Sequence, residues 1–377
     1  MDEEDFLSDS NWLSTLKLRA SFGTTGNQNV GGFYQGLQQV GANTSSYQGN
    51  LGYSVGQINS QSLQWESKES LNIGVGFGFW NDRLSGELDL YNEKTVDLFG
   101  SDARSPGLTG FGTVTTNVGT LRNRGVDLQV SYVLLSKTAT NPWSVKLNAN
   151  GNYNQNEVID IPGGFTGNTL RNAVGRQART WFLERWAGVD PSNGQPLYLD
   201  VNGNITNQYS TANRVYLDKN FDPTYTGGFG GDISYKGFTL NTLFSFAADR
   251  WRQNSSLAII EDVGLGGFAN QSVTMLNAWT TPGQITDIPA ISYGGLRSID
   301  GDRYLEDASF LRLRTASLSS ETLAKTKFLS GLRVYVQGTN LFTWTKWRGF
   351  DPESNNATGF FDYPVPRTFT LGFDLTF

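Results

Sequence analysis

The stretch ESLNIGVGFGFWNDRLSGELDLYNEKT, residues 69–95, decides the fold that the sequence predicts. Every odd position from 71 to 79 is apolar, and the positions between them hold asparagine or glycine. After a short turn around Asn81 and Asp82, leucines at positions 84, 88 and 90 alternate with serine, glutamate, aspartate and tyrosine. Two period-two runs joined by a short turn predict an antiparallel hairpin with one apolar and one polar face.

The same alternation recurs along the chain and predicts about ten strands, several near the 9–11 residues that a tilted strand needs to cross a bilayer. Clear examples begin at Leu16, Val126, Trp143 and Leu332, and the last is the terminal run RTFTLGFDLTF, residues 367–377. The glycines of GVGFG (74–78) lie inside such a strand. We therefore expect them to leave space on its polar face rather than to bind phosphate.

Three features favour a transmembrane barrel over a soluble sandwich, since both have strands with one apolar face. The strands are long, and their polar faces carry charged residues in mid-strand, as a water-filled lumen permits. The connections also alternate between short and long, which is typical of outer-membrane barrels with long extracellular loops. The short ones lie near 80–83, 136–142, 235–237 and 320–330, and the long ones at 25–65, 99–118, 159–223, 251–302 and 347–362. The predicted fold class is all-β, an antiparallel transmembrane β-barrel.

Aromatic residues cluster where the predicted strands end. Barrels of this class carry a girdle of aromatic side chains at each membrane interface. The residues that fit this pattern are Trp65, Trp80, Phe99, Trp143, Tyr235, Trp344 and Tyr363.

The composition excludes several kinds of site. The 377 residues include no cysteine and no histidine, so disulfides, thiolate ligands and His-dependent catalysis are ruled out. The net charge of −6 gives no sign of nucleic-acid binding. Carboxylate chemistry remains, and Glu184, Asp190 and Asp200 are the candidates for a hydrolase. We do not expect the protein to be an enzyme, because nothing in the sequence fixes the separation of these groups.

The long loops are rich in aromatic and amide side chains, which suit the ring faces, hydroxyls and amides of sugars or peptides. The candidate substrate or partner contacts are Trp181, Trp186, Tyr198, Tyr209, Trp251, Trp279 and Tyr293. The alternative is that these side chains pack the loops together. No cofactor is expected, although Asp200, Asn202 and Asn204 loosely resemble a calcium loop.

Several stretches resemble SusC/RagA-type TonB-dependent transporters of Bacteroidota, in the order of that family. They are LKLRASFGTTGNQNVGGFY (16–34), LQWESKESLNIGVGFGFWNDRLSGELDLYNEKTVDLF (63–99), NVGTLRNRGVDLQVSY (117–132), WAGVDPSNGQPLY (186–198), EDASFLRLRTASLS (306–319), VYVQGTNLFTWTKWRGFDPE (334–353) and the terminal strand. The resemblance implies a barrel of about 22 strands in the outer membrane of a Gram-negative bacterium. It further implies a plug domain through which TonB acts, a SusD-like surface lipoprotein as partner, and import of glycans or peptides.

The stretches match only the C-terminal part of the family pattern. Residues 1–377 are thus expected to be the C-terminal portion of one barrel domain, without the plug. Open sheet edges in lipid would leave unpaired backbone groups, so we expect another chain, or a segment outside this sequence, to supply the remaining strands. Two further alternatives stay open at this point. One is a narrow closed barrel, and the other is a secreted or surface-anchored β-sandwich that binds carbohydrate or acts as an adhesin.

Overall fold

The computed structural model describes residues 12–28, 37–47, 50–57, 60, 63–103, 105–264, 270–292, 301–320 and 330–377. Ten antiparallel strands form one large sheet, and each pairs with its neighbours in chain order. They are β1 (Leu13–Asn27), β2 (Glu66–Phe79), β3 (Leu84–Val96), β4 (Thr120–Leu135), β5 (Trp143–Asp160), β6 (Tyr225–Tyr235), β7 (Phe238–Ala248), β8 (Phe310–Ser320), β9 (Gly331–Thr345) and β10 (Thr368–Thr376). This confirms the predicted antiparallel barrel sheet. One continuous sheet, rather than two packed sheets, argues against the sandwich alternative.

The hairpin of residues 69–95 forms as its alternation predicts. Phe79 is paired with Leu84, and the register continues without a shift to Ser67 and Val96. The turn begins with Trp80, Asn81 and Asp82, whose φ angles are 55°, 57° and 59°. Asn and Asp adopt this left-handed conformation more readily than most residues, which explains their place in the turn.

Gly74 on the polar face of β2 makes room for an ion pair that spans the strand. Arg19 on β1 donates to Glu87 at 3.0 Å and to Asp89 at 3.1 Å, and both carboxylates lie on β3. A Cβ at position 74 would collide with the Asp89 carboxylate. The expectation that this glycine leaves space on the polar face therefore agrees with the geometry.

The polar face continues across β4 and β5 as a network of side-chain hydrogen bonds. The Asn152 amide donates to Asp127 at 2.6 Å and to the Tyr91 hydroxyl at 3.1 Å. The Tyr91 hydroxyl in turn donates to Asn154 at 3.0 Å. Such a wall of amides and carboxylates is compatible with a water-filled lumen and not with lipid.

The opposite face is apolar and uncovered. Leu18 on β1 is 60% exposed and Leu371 on β10 is 61% exposed, although both lie in mid-strand. Tyr225 packs on Tyr153 at 5.3 Å near the long loops, and Tyr235 packs on Trp143 at 4.3 Å near the short turns. These pairs are about 33 Å apart along the strand. With a tilt of about 40° that becomes about 25 Å, the height of a barrel's lipid-facing band.

The other predicted girdle residues lie in or beside the connections at the two ends of the sheet. Trp80 is in the turn after β2, at the short-turn end. Trp65, Phe99, Trp344 and Tyr363 lie at the long-loop end of the sheet.

The sheet does not close on itself. In the part of the chain that the structure describes, β1 pairs only with β2 and β10 pairs only with β9. A narrow closed barrel is therefore not formed.

No helix among the described residues is both long enough and apolar enough to traverse a bilayer.

The long connections run over residues 28–65, 97–119, 161–224, 249–309 and 346–367, and they carry their own secondary structure. After β1 lies the hairpin Gln39–Tyr47 and Asn50–Gln57, and after β3 lie the strands Phe99–Ala103 and Thr113–Asn117 with the helix Pro106–Thr109 between them. After β5, one sheet comprises Phe165–Thr166, Leu170–Ala173, Thr180–Leu183 and Val215–Asn220, and another comprises Arg185–Val189, Pro196–Leu199 and Ile205–Thr206.

The last two long connections share one small sheet. Trp251–Asn254 lies between Leu305–Asp307 and Thr358–Gly359, and the helix Ser255–Ile260 follows directly. Short 3₁₀ turns occupy Pro162–Gly164, Thr211–Asn213 and Val273–Asn277. The two buried apolar clusters found among the described residues both lie in these loops, not on the barrel sheet. The loops are thus packed bodies that can hold a defined shape.

Candidate functional site in the long loops

Trp181 and Trp251 hold the loop sheets together. Trp181 is 1% exposed and packs with Leu183 and Leu305, while Trp251 borders the same cluster. The Trp181 indole N–H donates to the Trp251 carbonyl at 3.0 Å. The structure thus gives both residues a packing role, and direct contact of either with a ligand stays a prediction.

Trp186, Tyr198 and Tyr209 come together, as a shared binding surface would require. Trp186 is the cross-strand partner of Tyr198, and their rings meet edge-on with centroids 5.7 Å apart. Tyr198 meets Tyr209 in the same way at 5.3 Å. Tyr198 is only 2% exposed, so the packing alternative describes its ring better than ligand contact does.

Trp279 fixes a turn of the preceding loop. Its indole N–H donates to the Pro191 carbonyl at 3.0 Å, and its ring lies against Gly194, which has a φ of 74°. Tyr293, the last predicted contact residue, lies outside the described residues. The described members of the predicted set are therefore spread over several places in the loops, and Trp186 lines a large cavity there.

This loop cavity has a volume of about 650 Å³ and lies between the loops that follow β5, β7 and β9. Its walls combine opposite charges, amides and hydroxyls with the apolar side chains of Trp186, Ile285 and Ile288. The lining residues are Trp186, Glu261, Thr274, Asn277, Gln284, Ile285, Thr286, Asp287, Ile288, Arg303, Tyr304 and Arg348.

Arg303 is held rigidly in the wall of the loop cavity. Its guanidinium lies 4.7 Å from the ring centre of Trp186 and 4.9 Å from that of Tyr304. One terminal nitrogen, Nη2, donates to the Asp287 carbonyl at 2.7 Å. The other, Nη1, is buried without a hydrogen-bond partner in the structure. A planar cation with a free donor is suited to an acceptor oxygen of a ligand.

Glu261 supplies the opposite charge. It is 5% exposed, and its Oε1 accepts a hydrogen bond from the Thr274 hydroxyl at 2.7 Å. Burial raises the pKa of Tyr304, and the nearby Glu261 carboxylate raises it further. The phenol of Tyr304 therefore stays neutral. Arg348 differs from Arg303 because it is already paired with Glu306 at 2.7 Å.

A cluster of buried arginines fixes the last loop, residues 346–367, to the barrel. Arg252 is fully buried and donates to the carbonyls of Asp351 and Asn356 at 2.6 and 2.7 Å. Arg312 on β8 donates to the Asp351 carboxylate at 2.7 Å. Burial and the neighbouring Arg252 charge lower the pKa of Arg250 to about 10, which still leaves it charged at neutral pH.

Sequence reasoning missed Arg252, Glu261, Arg303 and Arg312. Arg252, Glu261 and Arg303 are single charged residues outside any periodic pattern, whereas Arg312 alternates with Leu311 and Leu313. The partners of all four lie in other segments of the chain. The only available signal was the presence of charged residues within strongly apolar or aromatic stretches such as RYLEDASFLRLR (303–314).

Each of the three candidate carboxylates of the hydrolase hypothesis already has an ion-pair or hydrogen-bond partner within the loops. Glu184 is 1% exposed and pairs with Arg214 at 2.9 Å. The hydroxyl and N–H of Ser192 bind Asp190 and lower its pKa, and the side chain and N–H of Asn204 do the same for Asp200. These bonds close two tight turns in the manner of Asx turns.

The calcium possibility receives no support from the described residues. They contain no group of three or more acidic side chains placed to hold a metal ion. One oxygen of Asp200 already accepts the Asn202 and Asn204 N–H groups, each at 2.8 Å.

Comparisons with known proteins agree with the architecture. A family model described as TonB dependent receptor-like, β-barrel, matches residues 9–259. A TonB-dependent receptor of Formosa agariphila is 29% identical over the whole chain, and the TonB-dependent receptor SusC of Bacteroides thetaiotaomicron is 28% identical. The solved structure of the RagAB peptide transporter is 32% identical and matches 99% of the chain with a TM-score of 0.89.

The chain spans only part of these proteins. It covers 41% of the Formosa agariphila receptor, 39% of SusC and 42% of the matched RagAB chain. The relatives carry the names of receptors and transporters rather than of enzymes.

Proposed function

The chain belongs to the TonB-dependent receptor-like β-barrel family of the Gram-negative outer membrane, and we propose that it forms the C-terminal, loop-bearing part of a SusC/RagA-type nutrient importer. The observation that carries this proposal is the ten-stranded open sheet, with its apolar outer face and its polar inner face. Its match to the RagAB transporter extends over 99% of the chain and includes the loops.

The two open edges support the proposal that further strands complete the barrel. β1 has 15 residues and β10 has 9, and each has one unpaired edge among the described residues. Each unsatisfied backbone group in lipid costs several kcal/mol, so neither edge can face the bilayer. We propose that another chain, or a part of the protein outside this sequence, pairs with both edges in a barrel of about 22 strands.

The packed loops support a role in substrate capture with a partner. RagAB is named as a peptide transporter, and SusC is named as a TonB-dependent receptor. We propose by likeness that a SusD-like surface lipoprotein covers these loops, that a plug outside this sequence couples the barrel to TonB, and that the cargo is a glycan or a peptide.

Native mass spectrometry of the assembly, purified in detergent from its own outer membrane, tests this proposal. We expect the 377-residue sequence to be accompanied by the remaining strands, in the same or another chain, and by a lipoprotein. Deletion of the coding region should abolish uptake of a glycan or peptide by the cells. A folded, monodisperse preparation of this chain alone in detergent-free buffer would overturn the proposal.

A further inference from the structure

We propose that the loop cavity binds a short peptide through its two opposite terminal charges, the carboxylate at Arg303 and the ammonium at Glu261. This inference rests on the proposed import function and narrows its cargo from glycan or peptide to peptide. At about 650 Å³, the cavity lies within the roughly 300–1,000 Å³ typical of small-ligand sites.

The anionic end of the ligand is assigned to Arg303. Its guanidinium lies over the rings of Trp186 and Tyr304, and these contacts restrict its position before any ligand arrives. Arg303 forms no ion pair with any residue that the structure describes, and its buried Nη1 has no hydrogen-bond partner. A carboxylate is the group expected beside this guanidinium, because a charged acceptor gains a charge-assisted hydrogen bond even though Nη2 already donates to the Asp287 carbonyl.

The cationic end is assigned to Glu261. Its carboxylate is 5% exposed and makes no ion pair within the described part of the chain. The neutral hydroxyl of Thr274 donates to it, and the neutral phenol of Tyr304 lies beside it. A buried carboxylate without a cation is costly, so a ligand ammonium placed here would gain both charge pairing and hydrogen bonds. Asp287, which also lines the cavity, adds to the attraction for a cation.

The aromatic residues of the cavity favour a peptide over a sugar. A sugar ring packs its apolar face on an open aromatic face. Arg303 covers one face of Trp186, and the Trp186 ring meets Tyr198 edge-on. Tyr304 is 1% exposed and also lies under Arg303. The cavity therefore offers fixed charges of both signs, with at most one face of Trp186 left for stacking.

The test uses the detergent-purified assembly that contains this chain, with tri-alanine as the probe. Binding is measured by calorimetry for the peptide with free ends and for its N-acetylated, C-amidated and doubly blocked forms, with maltose as a neutral sugar. We expect blocking either end to weaken binding by about tenfold or more, because each block removes one charge-assisted pair. Maltose should bind more weakly than the free peptide.

Charge-removing variants assign each end of the ligand. Arg303→Gln should lose the preference for a free carboxylate and keep the preference for a free amine, and Glu261→Gln should do the reverse. Arg303→Lys, which keeps the positive charge, should restore part of the carboxylate preference. Arg176→Gln is the matched control, since Arg176 also stacks on an aromatic ring, that of Tyr216 at 4.2 Å, but does not line the cavity.

Equal affinities for the free and the blocked peptides would overturn the inference, as would maltose binding that both cavity variants weaken. The peptide series on the unsubstituted protein decides the matter even if Arg303→Gln fails to fold. A confirmed importer assembly without charge-selective peptide binding would refute only this inference. The opposite result would refute only the proposed function: the peptide binds through its terminal charges, but the chain is found without further barrel strands and without a lipoprotein.

Discussion

Replacing Arg312 by methionine should release the last loop, residues 346–367, from the barrel wall. The Arg312 side chain is 3% exposed and donates to Asp351 at 2.7 Å and to the Thr343 hydroxyl at 3.0 Å. Its Nη1 also forms an ion pair with the half-buried Glu353 carboxylate at 2.9 Å. Removing one partner of a buried pair costs about 3–5 kcal/mol, because the other charge is left uncompensated. Asp351 would keep bonds from the backbone N–H groups of Glu353 and Val365, at 2.9 and 3.2 Å. We therefore expect the lower end, about 3 kcal/mol.

Hydrogen exchange of peptides from this loop measures the effect directly, because local opening is reported separately from global unfolding. A cost of about 3 kcal/mol corresponds to opening that is about 150-fold more frequent. Asp351→Asn should add little once Arg312 is gone, since the two side chains act as one pair. Arg333→Gln is the control, because its pair with Asp374 is 3.8 Å long and more than half exposed. It should change protection by less than about 0.5 kcal/mol.

Two results would refute this reasoning. One is unchanged exchange of the loop in Arg312→Met. The other is strict additivity of Arg312→Met and Asp351→Asn, because partners in one buried pair are expected to be coupled by about 0.5–3 kcal/mol.

Three further predictions concern the barrel and the loops. Gly74→Ala should destabilise the barrel by about 1–3 kcal/mol, because the new Cβ would displace the Asp89–Arg19 pair. Urea unfolding in detergent measures this cost. Gly23→Ala is the control and should be near neutral, because a Cβ at position 23 would have no atom within 4 Å. Phe229→Lys on the lipid face should cost about 2–4 kcal/mol, whereas Asn148→Lys on the polar face should be tolerated; equal costs in the same assay would contradict the assignment of the faces. The hydroxyl and N–H of Ser192 lower the pKa of Asp190, so the turn at 190–195 should be fully protected from hydrogen exchange above the unfolded pKa of about 3.9. This protection should be lost as the pH falls through the lower folded pKa. Exchange that does not change with pH, after correction for the intrinsic rate, would contradict the prediction.

Much of the barrel could be predicted from the sequence because its strands follow a local rule. Each strand separates lipid from a polar interior, so every second residue from 71 to 79 had to be apolar. The lengths of the connections then distinguished one membrane side from the other. The glycines at 74–78 could be assigned to the polar face, but the Arg19 pair that requires Gly74 became visible only in the register of three strands.

The loop residues could be predicted only in part. Aromatic residues stand out in a sequence, and one of the predicted contact residues, Trp186, lines the loop cavity, although its contact with a ligand stays a prediction. The sequence could not show that Trp181 is buried in a loop core, or that Arg303 covers the face of Trp186.

The sequence by itself determined that this protein is an outer-membrane barrel chain, since alternation, loop lengths and aromatic ends are local properties imposed by the bilayer. Only the tertiary structure decided which charges share a cavity. Arg303, Glu261 and Trp186 line one cavity from segments that are separated by long stretches of chain, and no local pattern encodes this arrangement. The physical reason is that a strand is constrained by its solvent at every second position, whereas a loop is constrained only by the other segments against which it packs.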